Sequence, residues 1–246
     1  MCSIHVPVFA WLAFCAVSAP CGAQSLNAAL NAGVFDSTVY TGISGRMSFR
    51  EQERDYAKLH IAHQIAMNRK CVIDYGYIEL EGTPRDDHAI YDSNIAYDDT
   101  GITEILERIV IVAEYRLPNC TVLAGRDSAA AGSAVYTSER TGTERPEWVR
   151  STPEIEGYYT GVGFSDRYSE LYKNILVADV DAAQTIAKEK NAYIRGFIYD
   201  HITGDRAELA TGNVILSRAE LYGLYIIDRW VAPDGVCYSL AAARKE

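Results

Sequence analysis

Two histidines one helical turn apart, with a third in the polar segment beyond them, are the side chains best suited to bind a metal. His60 and His63 lie in a predicted helix, and His88 lies in the loop that follows. Imidazoles three residues apart on a helix can share one ion. The matching positions in the second half of the chain are Asp181 and Gln184, which indicates a solvated helix face. We therefore predict no metal site, and these three histidines remain weak candidates.

An acidic segment beside His88 offers carboxylates that could bind calcium. Its members are Asp86, Asp87, Asp92, Asp98 and Asp99. The segment lacks the alternating ligands and the central glycine of a calcium-binding loop. We predict a solvated loop.

Glycines between a predicted strand and a predicted helix raise the question of a nucleotide site. Gly161 and Gly163 begin the pattern of a dinucleotide-binding turn, but Asp166 replaces its third glycine. A carboxylate there repels a pyrophosphate. Ser44 replaces the second glycine in the first half of the chain. The sequence predicts a tight strand exit and no cofactor.

The sequence gives little support to a nucleophilic enzyme. The segment 42–46 begins like a Gly-x-Ser-x-Gly motif but ends in Arg46. Cys120 and Cys237 lie on predicted hairpin strands with no histidine at a matching place in both halves. We predict that both are small buried hydrophobic residues. No catalytic residue is predicted.

Tyrosine is unusually abundant: the chain has 17 Tyr, against 6 Phe and 3 Trp. Tyrosine suits half-buried sheets and binding surfaces, because its apolar ring ends in a hydroxyl group. Sheet packing is one interpretation, and a tyrosine-lined binding surface is the other. The candidates for that surface are Tyr158, Tyr159, Tyr222 and Tyr225.

The composition is that of an acidic, folded protein. The chain has 246 residues, a net charge of −10 and 48% hydrophobic residues. This length allows one or two domains. The excess of acidic residues argues against nucleic acid or anionic lipid as the main partner, because both bind clustered Lys and Arg.

The first residues have the pattern of a secretory signal peptide. No charged residue precedes Asp36, residues 6–17 are apolar except for Pro7, and small residues fill most of 18–23. We predict a signal peptide over 1–23 and export of the protein. The alternatives are a buried N-terminal helix and a wrongly assigned start codon. Cleavage before Cys21 would allow a lipid anchor, although Pro20 is unfavourable there.

The six cysteines do not form a disulfide framework. Three of them (Cys2, Cys15 and Cys21) fall in the predicted leader. Cys71, Cys120 and Cys237 remain, an odd number at wide spacing with no CxxC motif.

The chain repeats itself, and the order of the matching blocks is kept. A Tyr-Thr-Gly motif at 40–42 recurs at 159–161, and Gly76-Tyr77-Ile78 resembles Gly196-Phe197-Ile198. The helix alanines Ala57 and Ala62 match Ala178 and Ala183, and Cys120 and Leu123 match Cys237 and Leu240. We predict a tandem duplication.

Each predicted unit is β-α-β-β and belongs to the α+β class, with one long helix on a small, mostly antiparallel sheet. The alanines would let this helix approach the sheet closely. Ser48 with Glu51 resembles a capping box, and Ser169 is a second candidate cap. In the first unit we expect a strand at 40–44, a helix at 48–70, a polar loop, an apolar strand at 105–115 and a closing strand at 120–124. In the second unit the corresponding elements are a strand at 158–164, a helix at 169–192, a polar loop, an apolar strand at 220–231 and a closing strand at 237–242.

The predicted domains are a first module at 34–125, a linker at 126–145 and a second module at 146–244. The linker is rich in Ala, Gly, Ser and Thr. Residues 146–149 are expected to form the strand that leads into the second module.

The second module resembles the twenty-kilodalton bacterial envelope lipoprotein family, and the same module is similar to the N-terminal domain of flagellar assembly protein T. The first module lacks the Pro-x-Trp motif and is the more divergent of the two. The resemblance implies an exported, envelope-associated, non-enzymatic module, often tied to surface or flagellar structures. The residues that carry it are Pro146, Trp148, Val149, Tyr158, Tyr159, Gly161, Val162, Gly163, Ala178, Ala182, Ala183, Ala187, Trp230, Val231, Asp234, Gly235, Tyr238, Ser239, Leu240 and Ala241.

We therefore expect an exported binding or structural protein, located in the periplasm or at the outer membrane, with an envelope protein as its partner. Two alternatives stay open. One is a secreted enzyme, which would need two or three polar side chains converging on a cleft between the modules. The other is a surface protein anchored through a lipid on Cys21.

Overall fold

The computed structural model describes residues 23–30, 38–80, 89–129, 144–165, 170–203 and 206–245. Most of the predicted leader with Cys21, the central part of the linker, Asp86, Asp87, His88, Asp166 and Ser169 lie outside these residues. The protein is α+β, as predicted. Its elements are α1 (Ala23–Leu30), β1 (Val39–Gly45), α2 (Arg50–Arg69), β2 (Cys71–Leu80), β3 (Ala89–Tyr97), α3 (Ile102–Arg108), β4 (Ile109–Arg116), β5 (Cys120–Asp127), a 3-10 turn (Glu147–Val149), β6 (Tyr158–Ser165), α4 (Leu171–Asn191), β7 (Ala192–Thr203), β8 (Arg206–Leu221), β9 (Tyr225–Val231) and β10 (Cys237–Arg244).

The two halves have the same topology. In the first, the strand order is β1-β5-β4, and in the second it is β6-β10-β9, with every pair antiparallel. The long helices α2 and α4 each cover one face of the sheet in their own half. We call the sheet-and-helix halves module one and module two, and the face of each sheet opposite its long helix the outer face.

A third sheet joins the modules. It has four strands in the order β3-β2-β8-β7, so that β2 of module one pairs with β8 of module two. This corrects the prediction of polar loops after both long helices, because these segments form the hairpins β2–β3 and β7–β8. The repeated Gly-aromatic-Ile motif at 76–78 and 196–198 lies inside the first strand of each hairpin.

Two predicted apolar strands are also corrected. The segment 105–115 starts within helix α3 and continues as β4, with the side chain of Ile105 buried under α2. The segment 220–231 is interrupted after Leu221, where Gly223 adopts a φ of 65°. Residues with φ in this region are mostly glycines, so the chain turns here between β8 and β9.

The expected ends of three other elements differ as well. Helix α2 begins at Arg50 after Phe49, which has no side-chain cap, so Ser48 and Glu51 do not form the capping box. The segment 146–149 is a 3-10 turn, not a strand. Residues 126 and 127, assigned to the linker, belong to β5.

Small residues allow the close contact between helix and sheet that the alanines predicted. A Cβ on Gly42 would lie 2.0 Å from the carbonyl oxygen of Ala57, and one on Gly163 would lie 2.1 Å from the amide nitrogen of Ala182. The glycines at 161 and 163 are therefore inside a strand and pack against α4, rather than forming a strand exit.

The glycine contacts also correct the predicted alignment of the two helices. Gly42 contacts Ala57 and Ile61, whereas its counterpart Gly161 contacts Ala182 and Ile186. Ala57 therefore corresponds to Ala182, one helical turn beyond the predicted match.

The outer faces of the two sheets are covered differently. In module two, Trp148 of the 3-10 turn packs against Trp230 and Leu240, and its indole nitrogen donates to Asp228 at 2.7 Å. Module one has no such tryptophan. Helix α1 and the first turns of α4 cover part of its outer face instead.

Helix α1 also covers the free edge of β9. The Asn27 side chain accepts from the backbone N–H of Val231 at 2.8 Å and donates to the carbonyl of the same residue at 3.0 Å. An amide side chain thereby replaces a neighbouring strand. No helix among the described residues is long and apolar enough to cross a membrane.

Candidate functional site

A cavity of about 290 Å³ lies where the two modules meet. Its walls come from α2 and β1 of module one, from α4 and β9 of module two, and from β3. The volume is at the lower end of the roughly 300–1,000 Å³ of ligand pockets. The lining residues are Tyr40, His60, His63, Gln64, Met67, Ile95, Tyr97, Leu176, Asp179, Val180, Ala183, Leu224, Tyr225 and Ile226.

The cavity lies beside the free edge of β1, where backbone polar groups need partners. The amide of Ile43 donates to Nδ1 of His60 at 3.1 Å. The carbonyl of Thr41 accepts from Nε2 of Gln64 at 2.9 Å and from Nη1 of Arg229 at 3.1 Å. Side chains of α2 and β9 thus satisfy the edge in place of another strand, and two of them, His60 and Gln64, also form part of the cavity wall.

His60 is neutral at physiological pH. Burial, followed by the nearby Arg229 charge, lowers its pKa to about 4. Because Nδ1 accepts the Ile43 amide proton, the imidazole carries its own hydrogen on Nε2. His60 therefore has one remaining polar atom, an N–H donor.

His63 forms the second polar part of the wall. Its Nδ1 lies 2.7 Å from the hydroxyl of Tyr97, and the two rings pack edge to face. Burial lowers the pKa of His63. The imidazole is therefore also predominantly neutral at pH 7, and with Tyr97 it forms a neutral hydrogen-bonded pair.

A buried ion pair lies at the cavity wall, to which Asp179 contributes. Nη2 of Arg229 lies 2.8 Å from a carboxylate oxygen of Asp179, and the two side chains are only 3% and 11% exposed. Ser239 donates to the same carboxylate at 2.6 Å, and Arg229 donates to Oε1 of Gln64 at 3.3 Å. Because these charges compensate each other, the ion pair presents no isolated charge to a ligand.

The remaining surface is apolar and aromatic. The rings of Tyr40 and Tyr225 pack edge to face at 5.3 Å, and the Tyr225 hydroxyl donates to the carbonyl of Val39. Of the four tyrosines proposed as a binding surface, Tyr225 alone lines this cavity. The other three lie outside the cavity lining. The Tyr222 hydroxyl donates to Glu220, the ammonium group of Lys245 lies over the ring of Tyr159, and Tyr158 is the first residue of β6.

His60 and His63, expected on a solvated helix face, line the cavity instead. They are brought close together, as the helical spacing requires. The third candidate ligand, His88, lies outside the described residues. Within the part of the chain that the structure describes, no cluster of three or more His, Cys, Asp or Glu side chains could hold a metal ion.

The cysteines in the described modules are buried and free. Burial raises the pKa of Cys120 to about 11 and that of Cys237 to about 12. Thiols of this kind are poor nucleophiles at neutral pH, and the prediction of small buried hydrophobic residues is confirmed. The two are not structural counterparts, because Cys120 lies on the outer face and Cys237 on the helix-covered face.

Sequence reasoning missed the module-two wall of the cavity. Two signals were present: Asp179 in the apolar and alanine-rich part of a helix, and Arg229 within a mostly apolar strand. Charged residues inside apolar stretches are rarely buried without a partner. Pairing them would have placed α4 beside β9, the two elements of module two that line the cavity.

No family model, no curated protein and no solved structure matches the chain. The resemblance to the envelope lipoprotein family stays a prediction.

Proposed function

We propose that this protein is an exported binding protein of the bacterial cell envelope that holds a small, uncharged, mostly apolar molecule between its two modules and catalyses no reaction. The observation that supports this most strongly is the cavity itself, which joins apolar walls to a few fixed polar groups. That combination is typical of ligand sites.

The polar groups define the class of ligand. A charged molecule would lose its hydration without meeting an opposite charge, since Asp179 and Arg229 already compensate each other. His60 offers an N–H donor. A neutral molecule with a carbonyl, ether or hydroxyl oxygen on an apolar skeleton fits both conditions.

The enzyme alternative has less support at this site. Polar side chains do converge on the cleft, but the ones that commonly transfer protons or attack a substrate already have structural partners. Nδ1 of His60 is bonded to the Ile43 amide, and Asp179 to Arg229 and Ser239. Each bond joins a long helix to the sheet of its own module.

Export belongs to the same proposal and is supported by the predicted leader and by the family resemblance. The protein is expected in the periplasm or at the outer membrane, where an envelope protein would be its partner. The full chain should be isolated from fractionated bacterial cells and analysed by native mass spectrometry. A bound molecule, released unchanged after prolonged incubation with the protein, supports binding; a change in its mass supports the enzyme.

A neutral fluorescent probe, N-phenyl-1-naphthylamine, tests the site directly. Val180→Phe fills the cavity, while Val177→Phe on the same helix is a matched control, because Val177 is exposed and does not line the cavity. We expect saturable binding that Val180→Phe weakens at least tenfold and Val177→Phe leaves unchanged. Equal binding by both folded variants, or no saturable binding by the parent chain, would reject the cavity as the site.

A further inference from the structure

The outer strands of the four-stranded sheet each have an edge without a partner strand in the described part of the chain. Strand β3 pairs only with β2, and β7 only with β8. Natural sheet edges often carry Lys or Pro, which prevent pairing with another chain. Neither strand contains Lys or Pro, and the charged residues are few: Asp92 on β3, and Arg195 and Asp200 on β7. The register of β3 shifts between Ile90 and Asp92, so residues 93–97 form a regular, uncharged stretch. Both edges are therefore suited to accept a further strand.

The two free edges complement each other. Each module contributes a hairpin that follows its long helix: β2 and β3 in module one, β7 and β8 in module two. The in-chain sheet joins the first strand of one hairpin, β2, to the second strand of the other, β8. The two strands that keep a free edge are again the first strand of one hairpin, β7, and the second strand of the other, β3. A second copy placed head to tail would bring them together in the same antiparallel sense.

Exposed apolar side chains lie on the strands that such a contact would use. Within the chain, β9 of module two meets β1 of module one through the hydrogen bonds beside the cavity. The opposite edges of the two three-stranded sheets, which we call the free ends, are formed by β4 and β6. These strands are the counterparts of β9 and β1, respectively. Val110 and Val112 on β4 are 45% and 50% exposed, and Phe164 on β6 is 56% exposed. In a head-to-tail contact, β4 of one copy and β6 of the next would bring these separate side chains together into one apolar patch, which neither copy has alone.

We propose that copies of this chain associate head to tail, with β7 of one copy extending the sheet at β3 of the next. A contact of this kind uses two different surfaces, so it produces a ring or an open filament rather than a closed dimer. The side chains at this contact between copies differ from those at the junction between the two modules of one chain. Phe164 occupies the place of Gly45, whose Cβ would lie 2.5 Å from the ring of Tyr172. Backbone pairing therefore provides most of the contact, and association should depend on concentration.

The in-chain pairing also predicts the register of the contact. Within the chain, Gly76 lies opposite Leu216. The hairpins can be aligned on Gly76 and its counterpart Gly196. Transferring the register to the free edges then places Ile198 of one copy opposite Ser93 of the next. Residues directly opposite on antiparallel strands have Cα atoms about 4.5 or 5.5 Å apart, which is within the range of about 4.4–6.8 Å that a disulfide spans.

Disulfide trapping tests this register. The parent is the full chain with Cys2, Cys15 and Cys21 replaced by serine, since these three lie outside the described modules. Ser93→Cys and Ile198→Cys are prepared separately, mixed and oxidised. We expect a cross-linked dimer from the mixture, and much less from either variant alone. The chain carrying both substitutions should give a ladder of dimers, trimers and larger species.

The control pairs Ser93→Cys with Ile194→Cys, which lies four residues away on the same strand and therefore about 13 Å out of register. Circular dichroism and melting curves should show that every variant is folded. Sedimentation of the parent chain over a range of concentrations gives a second measurement. The proposal would be overturned if the parent chain stayed monomeric at every concentration or if the control pair cross-linked equally well. It would also be overturned if the chain carrying both substitutions gave dimers but no longer species. A monomer whose free edge binds a different protein would do so as well.

Discussion

Each module joins its long helix to its edge strand by an ion pair, but the two pairs have opposite polarity and very different surroundings. In module two, Asp179 on α4 pairs with Arg229 on β9, and the side chains are 11% and 3% exposed. In module one, Arg54 on α2 pairs with Glu114 on β4, and the side chains are 48% and 24% exposed. The contacts of Gly42 and Gly161 make Arg54 the structural counterpart of Asp179.

The difference follows from what lies beside each pair. Module one covers the Asp179–Arg229 pair, and Gln64 and the Thr41 carbonyl accept hydrogen bonds from the guanidinium. The Arg54–Glu114 pair lies at the free end of module one, where water screens it. The helix position shared by Asp179 and Arg54 thus takes part in a buried ion pair beside the junction in module two and in an exposed ion pair in module one.

The largest effect should come from removing the buried cation. Arg229→Met leaves Asp179 charged and buried, and it removes a donor from the Thr41 carbonyl. Breaking one partner of a buried pair costs about 3–5 kcal/mol of the free energy of unfolding. Urea denaturation of the two chains measures this loss. Replacing both partners, as Arg229→Met with Asp179→Asn, should be less damaging because no uncompensated charge remains. A loss below about 1 kcal/mol for Arg229→Met would show that the pair is worth no more than a surface contact.

An intermediate effect is expected from pH, through the histidine that satisfies the edge of β1. The pKa of His60 is lowered to about 4 in the folded chain, whereas an unfolded histidine has a pKa of about 6.5. The unfolded chain therefore binds the extra proton first. Stability from this group is complete above pH 6.5 and is lost as the pH falls towards 4, by an amount on the order of 2 kcal/mol at pH 4.5.

The matching measurement is urea denaturation from pH 7 to pH 4.5 for the parent chain and for His60→Gln. An amide oxygen can still accept the Ile43 amide proton, but it does not titrate. His63, Glu53 and Asp127 also have lowered pKa values, so their titration changes the stability of both chains in an overlapping pH range. The difference between the two chains gives the contribution of His60, including its coupling to His63. Parallel pH profiles would mean that burial of the imidazole is not coupled to folding.

The sequence predicted the α+β class, the two long helices and the strands β1, β5, β6 and β10, because apolar periodicity and β-rich segments are local signals. It gave the wrong helix alignment for a physical reason. Alanines recur at intervals of one helical turn on both helices, so a shift by one turn preserves the match. Only the contacts of Gly42 and Gly161 fix the alignment.

The hairpins and the cavity could not be predicted from local sequence patterns. The pairing of β2 with β8 joins residues such as Cys71 and Leu221, which are far apart in the chain. The cavity walls likewise come from Tyr40, His60 and Tyr225, which no single segment contains. Helical spacing did place His60 and His63 side by side. Their place in the cavity wall depends on α4, an element of the other module that lies far away in the sequence.

The smallest effect should come from the surface counterpart of the buried pair. Arg54→Met makes at the free end the same change that Arg229→Met makes at the junction. An exposed ion pair contributes about 0–1 kcal/mol, and the Glu114 carboxylate keeps Arg116 as a partner at 2.6 Å. We expect a change in the free energy of unfolding within this range, reduced further by added salt. Both variants remove the same atoms, but Arg54 lies on the helix of its ion pair and Arg229 on the strand of its pair. Their difference therefore compares the loss of an arginine from an exposed ion pair with the loss of one from an ion pair that module one covers. A loss for Arg54→Met as large as that for Arg229→Met would mean that the free end is itself covered in solution. Repeating the measurement at several protein concentrations would then show whether a second copy provides the cover.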